Sequence, residues 1–171
     1  GHGMAWPEEN RGQLHGPLGG YGALNQAGLI CQLSLVLALR CGVKDDEVVK
    51  AVAKGNRFFE FYIHKGSIPY GDHNPGPHHG DNGKNGIAAI LFDLQNRVDG
   101  AAFFSRMTVA SYGESEMGHT GNYFSYLWGP LGAGRAGPAA TAAFLEEMRW
   151  YYDLARHGDG SFPYQGADES D

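Results

Sequence analysis

The sequence predicts an all-α fold of three helical hairpins, and two observations lead to it. Apolar residues recur at helical spacing in six successive segments. In addition, one loop occurs twice, as GSIPYG from Gly66 and as GSFPYQG from Gly160, and the two copies begin 94 residues apart. Because a helical hairpin in a repeat array takes about 47 residues, an offset of this size corresponds to two hairpins.

The predicted helices cover residues 21–41, 46–64, 84–97, 99–112, 120–131 and 138–156. The first has an apolar stripe of Leu24, Ala27, Gly28, Cys31, Leu35 and Ala38, and further apolar residues at Leu29, Leu33, Val36 and Leu37. A helix that is apolar around nearly its whole circumference is predicted to be buried on most sides. The second starts at Asp45 and Asp46 and carries Val48, Val52, Phe59 and Ile63 on one face.

The remaining helices follow the same spacing. The third presents Ile87, Ile90, Leu91 and Leu94, the fourth presents Phe103, Met107 and Ala110, and the sixth presents Phe144, Met148, Tyr151 and Ala155. Pro138 suits the first turn of the sixth helix, where its missing N–H is not needed. The fifth is the weakest, because Gly129, Pro130 and Gly132 interrupt its end. The first helix of each hairpin is richer in apolar or small residues, which predicts alternating inner and outer helices.

Composition narrows the class of protein. The 171 residues are 42% hydrophobic and 19% charged, as expected of one globular domain over residues 1–171. A net charge of −6 argues against nucleic acid as a partner. Polar residues interrupt the first helix at Asn25, Gln26, Gln32 and Ser34, which argues against a membrane span.

The cysteines and the first residues give little information about the cellular compartment of the protein. Cys31 and Cys41 lie ten residues apart on one predicted helix, about 15 Å in rise, so they do not bridge and the compartment stays open. No signal peptide is present. The chain starts at Gly1 and is rich in motifs from its first residues, so we expect it to be part of a longer chain or a mature form.

Chemically active side chains concentrate in the loops that lead into the first helix of each hairpin. If helices alternate in direction, these three loops emerge at one end of the molecule. They contain five of the eight histidines, His15, His73, His78, His79 and His119. The candidate catalytic residues are Asp72, His73, Asp81 and His119, because carboxylates and imidazoles serve as general acids and bases.

The same loops predict a binding surface. The candidate substrate-binding residues are Glu9, Arg11, His15, Tyr70, Asn82, Lys84, Asn122 and Trp128. Two alternatives stay open: His73, His78 and His79 could hold a divalent metal such as zinc, with no cofactor otherwise needed, or the loop side chains could only cap helices and bond loop carbonyls. Asp81 and Asn82 precede an apolar stripe and are candidates for such caps.

Four runs carry a family resemblance: WPEENRGQLHGPLGGYGALNQAGL, YGDHNPGPHHGDNGK, GHTGNYFSYLWGPLGAGRAGP and RWYYDLARHGDGSFPYQG. They resemble an uncharacterised bacterial family of unknown function in the α/α-toroid superfamily of terpenoid cyclases and protein prenyltransferases. The resemblance implies about half of a toroid. The Gln-Trp pair and the acidic protonation motif of terpenoid cyclases are missing, and so is the zinc ligand set of the prenyltransferases, so terpenoid chemistry is not implied.

Toroids of this shape also host glycoside hydrolases and polysaccharide lyases, and by that analogy we expect an enzyme or degenerate enzyme. Its ligand would be a polar small molecule or glycan, and the chemistry would be acid/base catalysis. The alternatives are a noncatalytic binding or scaffold module and a metal-dependent hydrolase. Because a complete toroid needs more than six helices, we also expect an apolar edge near Leu29, Leu33 and Val36 that a second copy or the rest of a longer chain covers.

Overall fold

The computed structural model describes residues 24–71, 74–75, 83–115 and 123–162. These residues form α1 (Asn25–Arg40), α2 (Asp46–Glu60), α3 (Lys84–Asp93), α4 (Val98–Ala110), α5 (Tyr123–Ala133) and α6 (Pro138–Ala155), with a short 3₁₀ helix at Tyr112–Glu114. No β-strand occurs among them. The prediction of an all-α fold is therefore confirmed.

Two of the predicted helix starts have the expected chemistry. The Asp45 carboxylate accepts hydrogen bonds from the backbone N–H groups of Glu47 at 2.8 Å and Val48 at 3.2 Å. These bonds satisfy two donors that the first turn of a helix leaves open. Pro138 is the first residue of α6. In α3, by contrast, the cap position is Gly83, which has no side chain to cap the helix. The predicted cap residues Asp81 and Asn82 lie outside the described residues.

Helix α5 continues through the residues that were expected to interrupt it. It contains Pro130 and extends to Ala133. A proline has no N–H to donate to the carbonyl four residues earlier, which here belongs to Tyr126. The Tyr152 hydroxyl of α6 donates to that carbonyl at 3.0 Å. The side chain of α6 thus replaces the hydrogen bond that Pro130 removes.

The glycines of α5 have a second role, because they allow the helix to approach α3 closely. A Cβ atom on Gly132 would lie 2.3 Å from the Cα of Gly86, and one on Gly86 would lie 2.4 Å from the Trp128 carbonyl oxygen. Real side chains do not tolerate such distances. The two backbones therefore touch at positions that only glycine can occupy.

The most buried helix is α3, which packs against α1, α4 and α5. Its residues Lys84–Phe92 are all buried. By contrast, α1 is buried on one face only: Cys31 and Leu37 are exposed. The expectation that α1 is buried on most sides is therefore wrong; among the described helices, α2 and α3 are the ones that pack closely against it.

The predicted apolar edge on α1 is also wrong. Leu29, Leu33 and Val36 are buried in the core of their own chain. The exposed apolar side chains among the described residues include several on α6, notably Trp150 and Leu154, of which Leu154 is 81% exposed.

Helices α1, α3 and α5 run in the same direction. At their carboxyl-terminal ends, Arg40 donates to the carbonyl of Leu94, which follows α3, and Arg135 after α5 pairs with Asp93 at 3.2 Å. At the other end, Gly83 lies against the backbone of Phe124. Consequently the amino-terminal ends of the three helices lie together.

The fold bears on two expectations from the sequence, one about the cysteines and one about a membrane span. Cys31 and Cys41 are both free and exposed, as expected from their separation. Within the described ranges, no helix combines the length and the apolar character that a membrane crossing requires.

A second, smaller core lies between α5 and α6. The rings of Tyr126 and Tyr151 stack with centroids 3.4 Å apart, and Phe162 stacks beyond Tyr151. Burial, and next to it the neighbouring Tyr151, raises the pKa of the Tyr152 hydroxyl well above its usual range. The hydroxyl therefore stays protonated, as its hydrogen bond to Tyr126 requires.

The raised pKa of the Tyr152 hydroxyl predicts that the folded protein loses stability at alkaline pH. Because its pKa is higher in the folded chain than in the unfolded chain, its contribution to stability is complete below about pH 10 and is lost as pH rises above that value. Replacing Tyr152 by phenylalanine should lower the free energy of unfolding at pH 7 by about 1–3 kcal/mol, since the Tyr126 carbonyl loses its donor. Urea unfolding should show this difference shrinking above about pH 10. The same change at the exposed Tyr112 is the control, and a difference that stays constant through alkaline pH would contradict the assignment.

Candidate functional site

The loop Gly66–Gly71 is held at the amino-terminal ends of α1 and α3. The side-chain amide of Asn25 donates to the carbonyls of Pro69 at 2.9 Å and Gly71 at 2.8 Å. The backbone N–H of Asn25 donates to the carbonyl of Tyr70 at 2.8 Å. One asparagine at the start of α1 therefore binds three successive loop carbonyls.

A second asparagine, at the start of α3, binds the other half of this loop. Asn85 accepts a hydrogen bond from the backbone N–H of Ile68 and donates to the Ser67 hydroxyl, each at 3.3 Å. Asn85 and Ile68 are both fully buried. Because both asparagines are buried and bonded to the same loop, the loop has a defined position between the two helices.

Polar groups are buried where α3 and α5 begin. Lys84, the first residue of α3, is only 4% exposed, and Ser125 in the first turn of α5 is equally buried. The Ser125 hydroxyl has no hydrogen-bond partner within the described part of the chain. Lysine is almost never buried unless its charge is compensated, and unsatisfied hydroxyls are rare in folded proteins.

The electrostatics of this end favour polar and anionic ligands. Three helix amino-terminal ends meet here, and each directs N–H groups and the positive end of its dipole outward. The buried Lys84 adds a formal positive charge. An anion or a group rich in hydroxyl oxygens would therefore be stabilised at this end.

Three of the predicted site residues lie in the described part. Lys84 opens α3, Tyr70 lies in the loop that Asn25 binds, and Trp128 lies in the middle of α5. Lys84 is buried, whereas Tyr70 and Trp128 are half-buried. Tyr70 contributes its carbonyl to the bond with Asn25, and Trp128 packs against the larger core. The other predicted site residues lie outside the described residues, namely Glu9, Arg11, His15, Asp72, His73, His78, His79, Asp81, Asn82, His119 and Asn122.

The predicted metal ligands His73, His78 and His79 are among those outside the described residues. Within the described ranges, no group of three or more histidine, cysteine, aspartate or glutamate side chains is arranged to hold a metal ion.

Three residues that shape this site were not predicted from the sequence: Asn25, Asn85 and Ser125. A signal for two of them was present. Asn25 opens the run NQAGLI and Asn85 opens the run NGIAAI, so an asparagine precedes small and apolar residues in the first turn of both α1 and α3. The role of Ser125 depends on how closely α5 approaches Gly83, which sequence spacing does not reveal.

The second copy of the loop is described up to Phe162, and its surroundings differ from those of the first. Ser161 donates to the Asp159 carboxylate from its N–H at 2.9 Å and its hydroxyl at 2.7 Å, and these bonds lower the pKa of Asp159. Ile68 is completely buried, whereas Phe162 at the equivalent position is 46% exposed. The first copy is covered by Asn85 of the following helix, whereas within the described ranges Phe162 contacts the rings of Tyr151 and Tyr152 on α6.

Comparisons with known proteins give one match. The sequence model of DUF6288, a domain of unknown function, matches residues 1–171. No curated protein and no solved structure matches the chain.

Proposed function

Because the chain belongs to the DUF6288 family, a family of unknown function, we propose a function from the site itself. The chain is a sector of an α/α toroid that binds a polar ligand of the carbohydrate class where α1, α3 and α5 begin. It acts on that ligand by general acid/base chemistry, as a glycoside hydrolase or a lyase does.

The packing of the helices supports the toroid part of this proposal. Helices α1, α3 and α5 lie side by side and run in parallel, and each packs against the helix that follows it in the chain. An inner layer of parallel helices with an outer helix after each one is the arrangement of α/α repeats. The described helices amount to three such hairpins.

One observation carries the ligand part, namely the buried hydroxyl of Ser125, which has no hydrogen-bond partner within the described part of the chain. Sugars offer hydroxyl groups that both donate and accept hydrogen bonds, so a sugar could supply the missing partner. The half-buried rings of Tyr70 and Trp128 would supply apolar surface for a sugar ring.

The proposed catalytic groups are adjacent in sequence to anchored backbone. Asp72 and His73 directly follow Gly71, whose carbonyl is bound by Asn25. Asp81 precedes the start of α3, and His119 precedes the start of α5. One of these groups would protonate the leaving oxygen, and another would remove a proton from water or from the sugar ring.

The test is a screen of neutral and acidic polysaccharides for binding, for new reducing ends and for unsaturated products. We expect Asp72→Asn or Asp81→Asn to lower kcat by about 10²- to 10⁴-fold. Lys84→Met should weaken ligand binding with a smaller effect on kcat. Asp46→Asn and Lys44→Met on exposed positions are the matched controls.

The screen also separates the alternatives. Binding without turnover would favour a noncatalytic module, and turnover that a chelator abolishes would favour a metal-dependent hydrolase. If no glycan binds to the folded protein, the carbohydrate proposal is wrong.

A further inference from the structure

A groove of about 210 Å³ runs between α1 and α2. Lys84, Ser125 and Trp128 are not among its lining residues. Its floor is apolar: Phe58 and Phe59 of α2 are each 3% exposed, and Gly28 and Leu35 of α1 flank them. An apolar cavity of about 150 Å³ is enough to hold benzene. The groove therefore has room for one aromatic ring and a few further atoms.

Gly28 and Gly55 both line the groove, and the absence of a side chain at Gly55 allows Gln32 to pack against it. A Cβ atom on Gly28 would lie 3.8 Å from the ring of Phe59, and one on Gly55 would lie 2.1 Å from the Gln32 side-chain oxygen. Gln32 is itself fixed by hydrogen bonds from its amide to the Val52 carbonyl at 2.8 Å and the Asn56 side chain at 3.0 Å. The walls are thus preformed by groups already bonded within the fold.

Two polar features lie among the groove residues. Asn25 is 1% exposed, and its side-chain oxygen accepts no hydrogen bond in the described part of the chain. A buried acceptor without a donor is destabilising, so a ligand that supplies an N–H or O–H group would be favoured. Lys54 is exposed on α2, and no ion-pair partner is found for it among the described residues.

We propose that this groove is a binding site for a small aromatic carboxylate that carries a hydrogen-bond donor on its ring. The ring would pack on Phe58 and Phe59, the donor would bind the free oxygen of Asn25, and the carboxylate would pair with Lys54. The groove shares Asn25 with the loop anchor described above, but its other lining residues are not among those proposed for the carbohydrate site, and its ligand is of a different class.

The chain contains an internal reporter for this site. Cys31 lines the groove, whereas Cys41 lies beyond the end of α1, and both thiols are free and exposed. We expect 4-hydroxyphenylacetate, added up to about 10 mM, to slow alkylation of Cys31 and leave that of Cys41 unchanged. Peptide mass spectrometry after iodoacetamide treatment measures both rates in one sample.

Two related compounds, two variants and one control variant test which contacts hold the ligand. Phenylacetate lacks the donor, and tyramine has the same ring and donor with the opposite charge, so both should protect Cys31 less. Lys54→Met should weaken protection about two- to fivefold, as expected for an exposed ion pair. Ala51→Trp should fill the groove and abolish protection by the ligand, whereas Ala142→Trp, the same change at an exposed position of α6, should not.

Equal protection of Cys31 and Cys41, or no protection at any concentration, would overturn the proposal. Equal protection by tyramine and 4-hydroxyphenylacetate would overturn the role of Lys54. If Cys31 becomes less reactive as the protein associates, as measured by sedimentation, the groove is a contact between copies of the chain and the ligand proposal is wrong.

Discussion

Replacing Gly86 by alanine is expected to lower the free energy of unfolding by about 2–4 kcal/mol. The added Cβ would lie 2.4 Å from the Trp128 carbonyl oxygen, which belongs to the backbone of α5 and cannot rotate away. The two helices must therefore separate, and the interior of α3 loses contacts on one side. This loss exceeds the gain of about 1 kcal/mol that alanine normally brings within a helix.

Urea unfolding followed by circular dichroism measures this effect. Gly113→Ala is the matched control, because a Cβ at Gly113 would have no neighbour within 4 Å and its backbone does not need glycine. We expect the control to be neutral or slightly stabilising. A Gly86→Ala protein as stable as the control would mean that α3 and α5 are not in backbone contact.

Replacing Asn85 by alanine is expected to be almost as destabilising, at about 2–3 kcal/mol. The change leaves the buried N–H of Ile68 without its acceptor and removes the donor to Ser67. The loop Gly66–Gly71 would lose these bonds to α3 and keep those to Asn25, so we also expect faster proteolysis within it.

The exposed Asn74 provides the control for this change. Asn74→Ala should alter the free energy of unfolding by less than about 0.5 kcal/mol. If Asn85→Ala matched that small effect, the loop would be held by other contacts, and its anchoring by the two asparagines would be refuted.

The order and type of the helices followed from apolar spacing, because α2, α4 and α6 each present an amphipathic face to the core. Their starts were marked by local chemistry, as at Asp45 and Pro138. The end of α5 could not be predicted in this way. Gly129, Pro130 and Gly132 disfavour an isolated helix, and only the contacts with Gly86 and Tyr152 explain why the helix continues.

The sequence also did not predict which helix is the most buried. Helix α1 has many apolar residues, and its composition predicted that it would be buried on most sides. Burial depends on the number of neighbours, and among the described helices α3 packs against three others whereas α1 packs against two. The apolar excess of α1 instead lines the groove beside α2, with Leu35 and Gly28 among its walls.

The candidate site was predicted only in outline. The proposed end of the molecule was inferred from the positions of loops between helices, and Tyr70 and Lys84 lie beside the starts of α1 and α3. Asn25 was interpreted as a polar interruption of a helix predicted to begin before it, and Asn85 was given no role, so neither was assigned to the site. The catalytic roles of Asp72, His73, Asp81 and His119 remain predictions.

Because other helices enclose α3, we expect it to open later than the outer parts of the protein. Its backbone amides lie among α1, α4 and α5, so solvent deuterium can reach them only when several helices separate together. Among the described elements, α6 makes fewer contacts, with α5, α4 and the short 3₁₀ helix, and it exposes Leu154 at its end. In native-state exchange, the amides of α6 should therefore exchange through local fraying, whereas those of Ile87–Phe92 should report the full free energy of unfolding.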